Sequence, residues 1–349
     1  MAPETRTLEQ NLDQLKSLGR FPGKQDLHGF EPRFENIVDY IVKITYHIWE
    51  QVDMGYIYDT YLHNLEVHTG YGTSYGVEEV INGSIAFLAA MPDRRMYAED
   101  VIWSGDNETG FHTSHLILNT ATNTGYSPWG PPTGKKVQFI AIANCLVKEN
   151  RIIEEWLVRD TMAIVSQLGF NPWEIARKTL AGKAKTDVIG ETDRLHGQLP
   201  PQPYEPRADL SDIENFIRKL FHDIWNGRHF SLLAETYTET ASLHIPNHRE
   251  LKTLADIVAY HLGFIAQFPD AAMTVEHVYY LGNDVEGYRI ALRWRFSGTH
   301  QRNGWYGEPT GKRVNILGVS QLHVQHHKIS KHYFMFDELA VLMQLVGEC

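Results

Sequence analysis

The sequence has little cysteine, no long apolar run and no excess of positive charge. Two cysteines in 349 residues, Cys145 and Cys349, are too few for a disulfide framework or a thiolate zinc site. No apolar stretch approaches the roughly 20 residues that a membrane-crossing helix needs. The first residues, Met1-Ala2-Pro3-Glu4-Thr5-Arg6, lack the pattern of a secretory signal, so a cytoplasmic location is expected. The formal net charge is −11. Nucleic acid and anionic membrane, which need a positive surface, are therefore poor partners. No glycine-rich phosphate loop follows a strand, and no serine elbow is present. Nothing in the pattern calls for a cofactor, and the partner expected is a small-molecule substrate.

What is present is a repeat. Pro132-Thr133-Gly134-Lys135-Lys136-Val137 returns as Pro309-Thr310-Gly311-Lys312-Arg313-Val314, an offset of 177 residues. The same offset joins Met96 to Met273, Gly105 to Gly282, Asp160 to Asp337 and Gln167 to Gln344. Two copies of one unit follow, and a chain of this length holds two domains at about 150 residues each.

Each copy opens on a helix. Ile37, Ile41, Ile44 and Ile48 recur at helical spacing, as do Ile213, Ile217, Leu220 and Ile224, and both helices end in Ile-Trp at Trp49 and Trp225. A short second helix, a short strand ending at His68 or His244, and a third helix over 77–90 or 254–267 come next. Four strands are expected after that, at 96–103, 111–122, 137–147 and 152–158, with counterparts at 273–280, 288–299, 314–324 and 329–335. A last helix opens at Asp160 or Asp337. The unit is α+β, helices packed on a curved antiparallel sheet. The expected layout is an arm at 1–30, a first domain at 31–180, a stiff proline-containing linker at 181–208 and a second domain at 209–349. A helix is expected near 173–181.

The pattern resembles the SnoaL-like polyketide cyclase family within the nuclear transport factor 2-like fold. The turns Gly130–Gly134 and Gly307–Gly311 carry the resemblance. So do the strand Arg151-Ile152-Ile153-Glu154-Glu155-Trp156, Asp160 before Gln167-Leu168-Gly169, and Asn171-Pro172-Trp173. It implies a tandem pair of cone-shaped domains, three helices on a curved sheet in each. It also implies an aspartate in the middle of the last strand as general acid/base, facing the cavity. Here that place is taken by Leu157 and by Phe334, so the family's aldol-type mechanism does not carry over unchanged. Single-copy members of this fold commonly pair through their sheets. The resemblance therefore implies an intramolecular pseudo-dimer, with a homodimer as a further possibility.

Alternation along a strand then selects candidates. Glu155, Leu157 and Arg159 share the cavity face, as do His332, Phe334 and Phe336. Glu155 and His332 are the groups near mid-strand that can move a proton. On the second strand, Thr113, His115, Ile117 and Asn119 correspond to Ile290, Leu292, Trp294 and Phe296, so the first copy is polar where the second is apolar. His68 sits where the fold opens its cavity. Trp49, Tyr61, Trp129 and Trp156 are expected to line it. Asp160 reads first as a helix N-cap, with a place beside the pocket left open. In His112-x-x-His115 the two side chains point to opposite faces, so no metal is expected there; a metal site drawing on other histidines such as His68 stays open.

The expectation is a cofactor-independent acid/base enzyme acting on a small apolar or aromatic molecule, by cyclisation, isomerisation, elimination or carbon–carbon cleavage. Glu155, His115, His68 and His332 are the catalytic candidates. Trp49, Tyr61, Thr113, Asn119, Trp129, Trp156, Leu157 and Asp160 are the substrate-binding ones. The alternative is a non-catalytic binding or scaffold protein with two degenerate copies.

Overall fold

The computed structural model describes residues 6–181 and 203–347. Most of the expected linker, and Cys349, lie outside the described residues. The chain divides into two compact units. One comprises Met1–Thr69 with Thr73–Asn171, and the other Gly70–Gly72 with Pro172–Cys349.

In the first unit the order is α1 (Leu8–Ser17), α2 (Ile37–Trp49), a 3-10 turn (Met54–Tyr56), α3 (Ile57–Thr60), β1 (Tyr61–Thr69), β2 (Gly72–Tyr75), α4 (Val77–Ala90), β3 (Arg95–Asp106), β4 (Gly110–Thr122), β5 (Lys136–Lys148), β6 (Arg151–Arg159) and α5 (Thr161–Leu168). In the second it is α6 (Pro172–Leu180), α7 (Asp212–Trp225), α8 (Ser231–Thr236), β7 (Tyr237–Ile245), β8 (Arg249–Leu251), α9 (Leu254–Gln267), β9 (Ala272–Asn283), β10 (Gly287–Thr299), β11 (Arg313–Gln325), β12 (Lys328–Phe336) and α10 (Glu338–Val346). Each unit holds one six-stranded sheet, ordered β2-β1-β6-β5-β4-β3 and β8-β7-β12-β11-β10-β9.

Local chemistry sets the ends of these elements. Asn36 caps α2 by accepting from Asp39 N at 2.8 Å, and Ser211 caps α7 by accepting from Glu214 N. Glu149 and Asn150 both take positive φ, as do His326 and His327. That is the mark of a two-residue type I′ turn, whose twist matches the strands it joins. The repeated Pro-Thr-Gly turn is held the same way in both units. Gly134 and Gly311 sit at φ 69° and 68°, and their amides donate to the carbonyls of Asn123 and His300 at 2.9 Å. The motif that reveals the repeat is therefore a structural turn.

The core of the first unit joins α2 to the sheet and includes Leu12 and Leu15 of α1, so the expected N-terminal arm is packed into it. Three features differ from the sequence expectation. β1 runs parallel to β6, and β7 parallel to β12, whereas β3 to β6 and β9 to β12 pair antiparallel in sequence order. The edge strands β2 and β8 have four and three residues, too few for alternation to mark them. Helix α6, expected to close the first domain at 180, belongs to the second unit, because the break falls at Asn171-Pro172. No helix among the described residues is long and apolar enough to cross a membrane.

Candidate active site

Cross-strand register builds the site in rows. Thr113 lies opposite Cys145, and Cys145 opposite Glu155. His115, Ala143 and Leu157 form the next row, and Ile117, Ala141 and Arg159 the third. In these three rows the middle strand presents small side chains, Ala141, Ala143 and Cys145, towards the helices. That leaves a cavity of about 250 Å³. Its floor carries Glu155, His115, Leu157 and Arg159. Helix α2 contributes Ile41, Ile44 and Trp49, and α4 contributes Val80, Gly83 and Phe87.

Glu155 is 7% exposed. Its carboxyl group makes no hydrogen bond or ion pair among the described residues. Burial pushes its pKa up to about 7, against the opposing pull of Arg159. His115 is buried, and desolvation takes it down to about 3 although Asp100 acts in the other direction. It is therefore a neutral imidazole at neutral pH. Its Nε2 has no hydrogen-bond partner among the described residues. Glu155 and His115 do not touch as a pair. They stand on β6 and β4, two strand spacings and one row apart, about 12 Å between their backbones, and face one space. Burial raises the Cys145 thiol well above its usual range, so it is protonated and no nucleophile. Tyr61 is also raised, first by burial and then by the neighbouring Glu155.

Trp49, Tyr61 and Leu157 line the cavity, with Trp49 Nε1 donating to Ser84 Oγ at 3.0 Å. Other candidates stand elsewhere. Thr113 and Asn119 share the inner face but are wholly buried and off the lining: Thr113 lies beside Cys145 on the next strand, and Asn119 Oδ1 accepts from Arg94. His68 and Trp156 are on the opposite face, because alternation gives the cavity to Val67 and Thr69 on β1 and to Glu155 and Leu157 on β6. Their rings stack on one another at 5.2 Å and 16°. Trp129 packs edge-on to Phe87 in a separate cluster. The Asp160 carboxylate accepts from Ala163 N at 3.1 Å and caps α5.

His332 is the fourth catalytic candidate, and it has no ring nitrogen to spare. Nδ1 is 2.7 Å from Tyr237 Oη and Nε2 3.0 Å from Ser320 Oγ. Around it the second unit is filled. The rings of Trp225, Phe334 and Trp294 stack at 5.3 and 4.4 Å. A Cβ on Gly318 would meet the Trp294 indole at 2.1 Å, so glycine is what lets that ring lie flat there.

Arg94 and Arg159 also line the cavity, and neither was among the assigned candidates, although alternation had placed Arg159 on this face. Burial, with Arg159 alongside, brings Arg94 down to about 9. Their counterparts Ala271 and Phe336 carry the signal that finds them, the same polar-for-apolar exchange seen at His115 and Asn119.

Among the described residues one group has the spacing to hold a metal. The ligand atoms of Glu66, His68 and Glu154 lie within 4.8 Å of one another, on the face away from the cavity. The ring of His68 is also satisfied by protein alone, with Nδ1 2.9 Å from Thr73 Oγ1 and Nε2 2.9 Å from Glu154 Oε1.

The family model for SnoaL-like polyketide cyclase matches residues 40–168 and again residues 215–345. No curated protein matches the sequence. Among solved structures, the chain is similar to one described as a SnoaL-like polyketide cyclase from Jannaschia sp. CCS1, at 17% identity over 41% of this chain and 100% of that one, with a TM-score of 0.36. It is similar to IdmH from Streptomyces antibioticus, described as a polyketide cyclase, at 21% identity over 39% and 99% with a TM-score of 0.33. It is also similar to AclR from Streptomyces galilaeus, described as a hydroxylase, at 23% identity over 38% and 79% with a TM-score of 0.33. With the family match repeated over more than half of its length, the chain belongs to the SnoaL-like polyketide cyclase family, as a tandem pair of nuclear transport factor 2-like domains.

Proposed function

We propose that the first unit is a cofactor-independent acid/base catalyst acting on a small, largely apolar or aromatic molecule with an acidic C–H next to a carbonyl. The observation that carries this reading is Glu155, a buried carboxyl group that lines a largely apolar cavity with no hydrogen bond among the described residues; burial pushes its pKa up to about 7. A general base is most effective when its pKa lies near the working pH. In its ionised form Glu155 takes the proton, and the C–H electron pair moves into the carbonyl to give an enolate. His115, neutral and with its proton on Nε2, donates a hydrogen bond to the developing oxyanion. A neutral donor of this kind needs no proton transfer of its own. The enolate then attacks a second carbonyl, takes a proton at another carbon or expels a leaving group, and Glu155 returns its proton. These outcomes correspond to cyclisation, isomerisation and elimination; cleavage of a carbon–carbon bond is the reverse of the first. Glu155 stands one row along β6 from Leu157, the position at which the family resemblance implies an aspartate.

For the second unit the non-catalytic reading is favoured by the stack of Trp225, Phe334 and Trp294 and by the two hydrogen bonds on His332. The test of the whole reading is deuterium uptake. Aryl ketones such as 2-tetralone are incubated with the protein in heavy water, and deuterium at the carbon next to the carbonyl is read by mass spectrometry. Uptake above the buffer rate that is lost in Glu155→Gln supports the proposal. Ketones that bind without any gain in exchange make the first unit a binding module instead.

A further inference from the structure

On the sheet face away from the cavity, Glu66 of β1 and Glu154 of β6 are Cα partners on neighbouring parallel strands. His68 follows one row on, opposite Trp156. Neighbouring strands lie about 4.8 Å apart, so the two carboxylates stand side by side. Like charges so placed cost stability unless a cation joins them. Among the described residues neither carboxylate has a lysine or arginine partner. What faces both is one nitrogen, His68 Nε2, 2.9 Å from Glu154 Oε1 and 3.8 Å from Glu66 Oε2.

These two separations bracket the roughly 3.3 Å between donors that each sit about 2.0–2.1 Å from a tetrahedral ion. The other end of the ring is fixed from β2, where Thr73 Oγ1 is 2.9 Å from His68 Nδ1. When Nδ1–H donates to that hydroxyl, Nε2 turns its lone pair towards the carboxylates. That is the tautomer in which an imidazole binds a metal, held by a partner on its second nitrogen. With no ion the hydroxyl donates to Nδ1 instead and Nε2–H serves Glu154. Glu66, at 3.8 Å, is then beyond hydrogen-bond reach.

The fold does not need the carboxylate pair. At the same register the second unit pairs Ser242 with Lys331, and it keeps the histidine, His244, opposite Tyr333. His244 stacks on Tyr333 at 4.3 Å and 11°, as His68 stacks on Trp156 at 5.2 Å and 16°. Stacking is therefore the packing role that both histidines share. The first unit adds two carboxylates to it, and the second has an ammonium group where one of them stands.

We infer that Glu66, His68 and Glu154 bind one divalent transition-metal ion of the zinc type, with Thr73 as the residue that sets the imidazole tautomer. The imidazole donor disfavours magnesium, which takes oxygen ligands. The site lies on the face away from Glu155, and the inference stands independently of the acid/base reading. An ion there ties β1 to β6 and, through Thr73, to β2, the two strands that supply Thr69 and Ser74 to the cavity lining.

The test is calorimetric titration of zinc chloride into the full-length protein, stripped with a chelator and dialysed, at pH 7.5. One ion per chain is expected to bind in the micromolar range or tighter, and magnesium should give no binding heat. Glu66→Gln and Glu154→Gln should each weaken zinc by about ten-fold or more, and Thr73→Val by about ten-fold, the scale of a lost ligand or ligand support. Glu154→Lys, which installs the second unit's own residue, should abolish the site. His326→Gln with His327→Gln, in an exposed turn, should leave it unchanged. Zinc should also raise the thermal midpoint of the wild type and not that of Glu154→Lys. Circular dichroism checks folding, and the wild-type titration stands without the variants. Zinc binding only in the millimolar range, magnesium bound as tightly as zinc, or affinity that survives either Glu66→Gln or Glu154→Lys overturns the inference.

Discussion

Glu155 and His332 occupy the same position on the same repeated strand, and only His332 is held at both ends. The carboxyl group of Glu155 faces a cavity with no hydrogen bond among the described residues. The imidazole of His332 lies between Tyr237 and Ser320 at 2.7 and 3.0 Å. A group that acts on a ligand must be free to exchange a proton with it, and on the proposed reading this difference gives the two units different roles.

The raised pKa of Glu155 makes a prediction about stability. Its folded value is about 7, against 4.5 for the free group. Between those values the folded protein keeps a proton that the unfolded chain has released, so stability falls as pH rises from 4.5 to 7. The cost above pH 7 is about 3 kcal/mol, from a shift of 1.36 kcal/mol per unit. Glu155→Gln removes it. In urea unfolding, the variant's advantage over the wild type should be greater at pH 8 than at pH 5 by about 2–3 kcal/mol. An advantage independent of pH would mean that Glu155 titrates as an ordinary carboxyl group.

The same value sets the activity profile. With Glu155 as base, kcat/KM should rise with pH through about 7. His115, at about 3, contributes no limb near neutrality. His115→Phe should lower kcat about 10²–10³-fold, the usual cost of one oxyanion donor, and leave the midpoint near 7 unchanged. A midpoint that moves in this variant would show that His115 is the titrating group.

In the second unit, Trp294 acts as filling. Trp294→Ala should destabilise the protein by about 3–5 kcal/mol, as truncation of a buried aromatic does, with deuterium exchange unaltered. The measurement is urea unfolding beside an exchange assay. Loss of exchange with stability intact would place chemistry in the second unit.

The helices and the four long strands of each unit were legible because their apolar spacing is regular and because the repeat reads every element twice. Alternation alone placed Glu155, Leu157 and Arg159 on one face. The same rule, applied from the end of β1, excludes His68: Val67 and Thr69 face inward, so their neighbour faces out. Trp156 is out of the cavity for the same reason. Asn119 was read on the correct face, but alternation says nothing of depth, and it stands off the lining, bonded to Arg94. Arg94 itself sits just before β3, where no period marks it, and only its alanine counterpart Ala271 betrays it. The parallel pairing of β1 with β6 is a long-range choice that no local pattern encodes.

The central claim is that the first unit carries the chemistry and Glu155 moves the proton. The most direct measurement compares deuterium exchange into an aryl ketone by the wild type, Glu155→Gln and His332→Gln, each first shown to fold. The account requires Glu155→Gln to lose about 10²–10⁴-fold of the exchange rate, the range for a lost general base, while His332→Gln stays within a few-fold of wild type. Exchange that survives in Glu155→Gln and disappears in His332→Gln would contradict it.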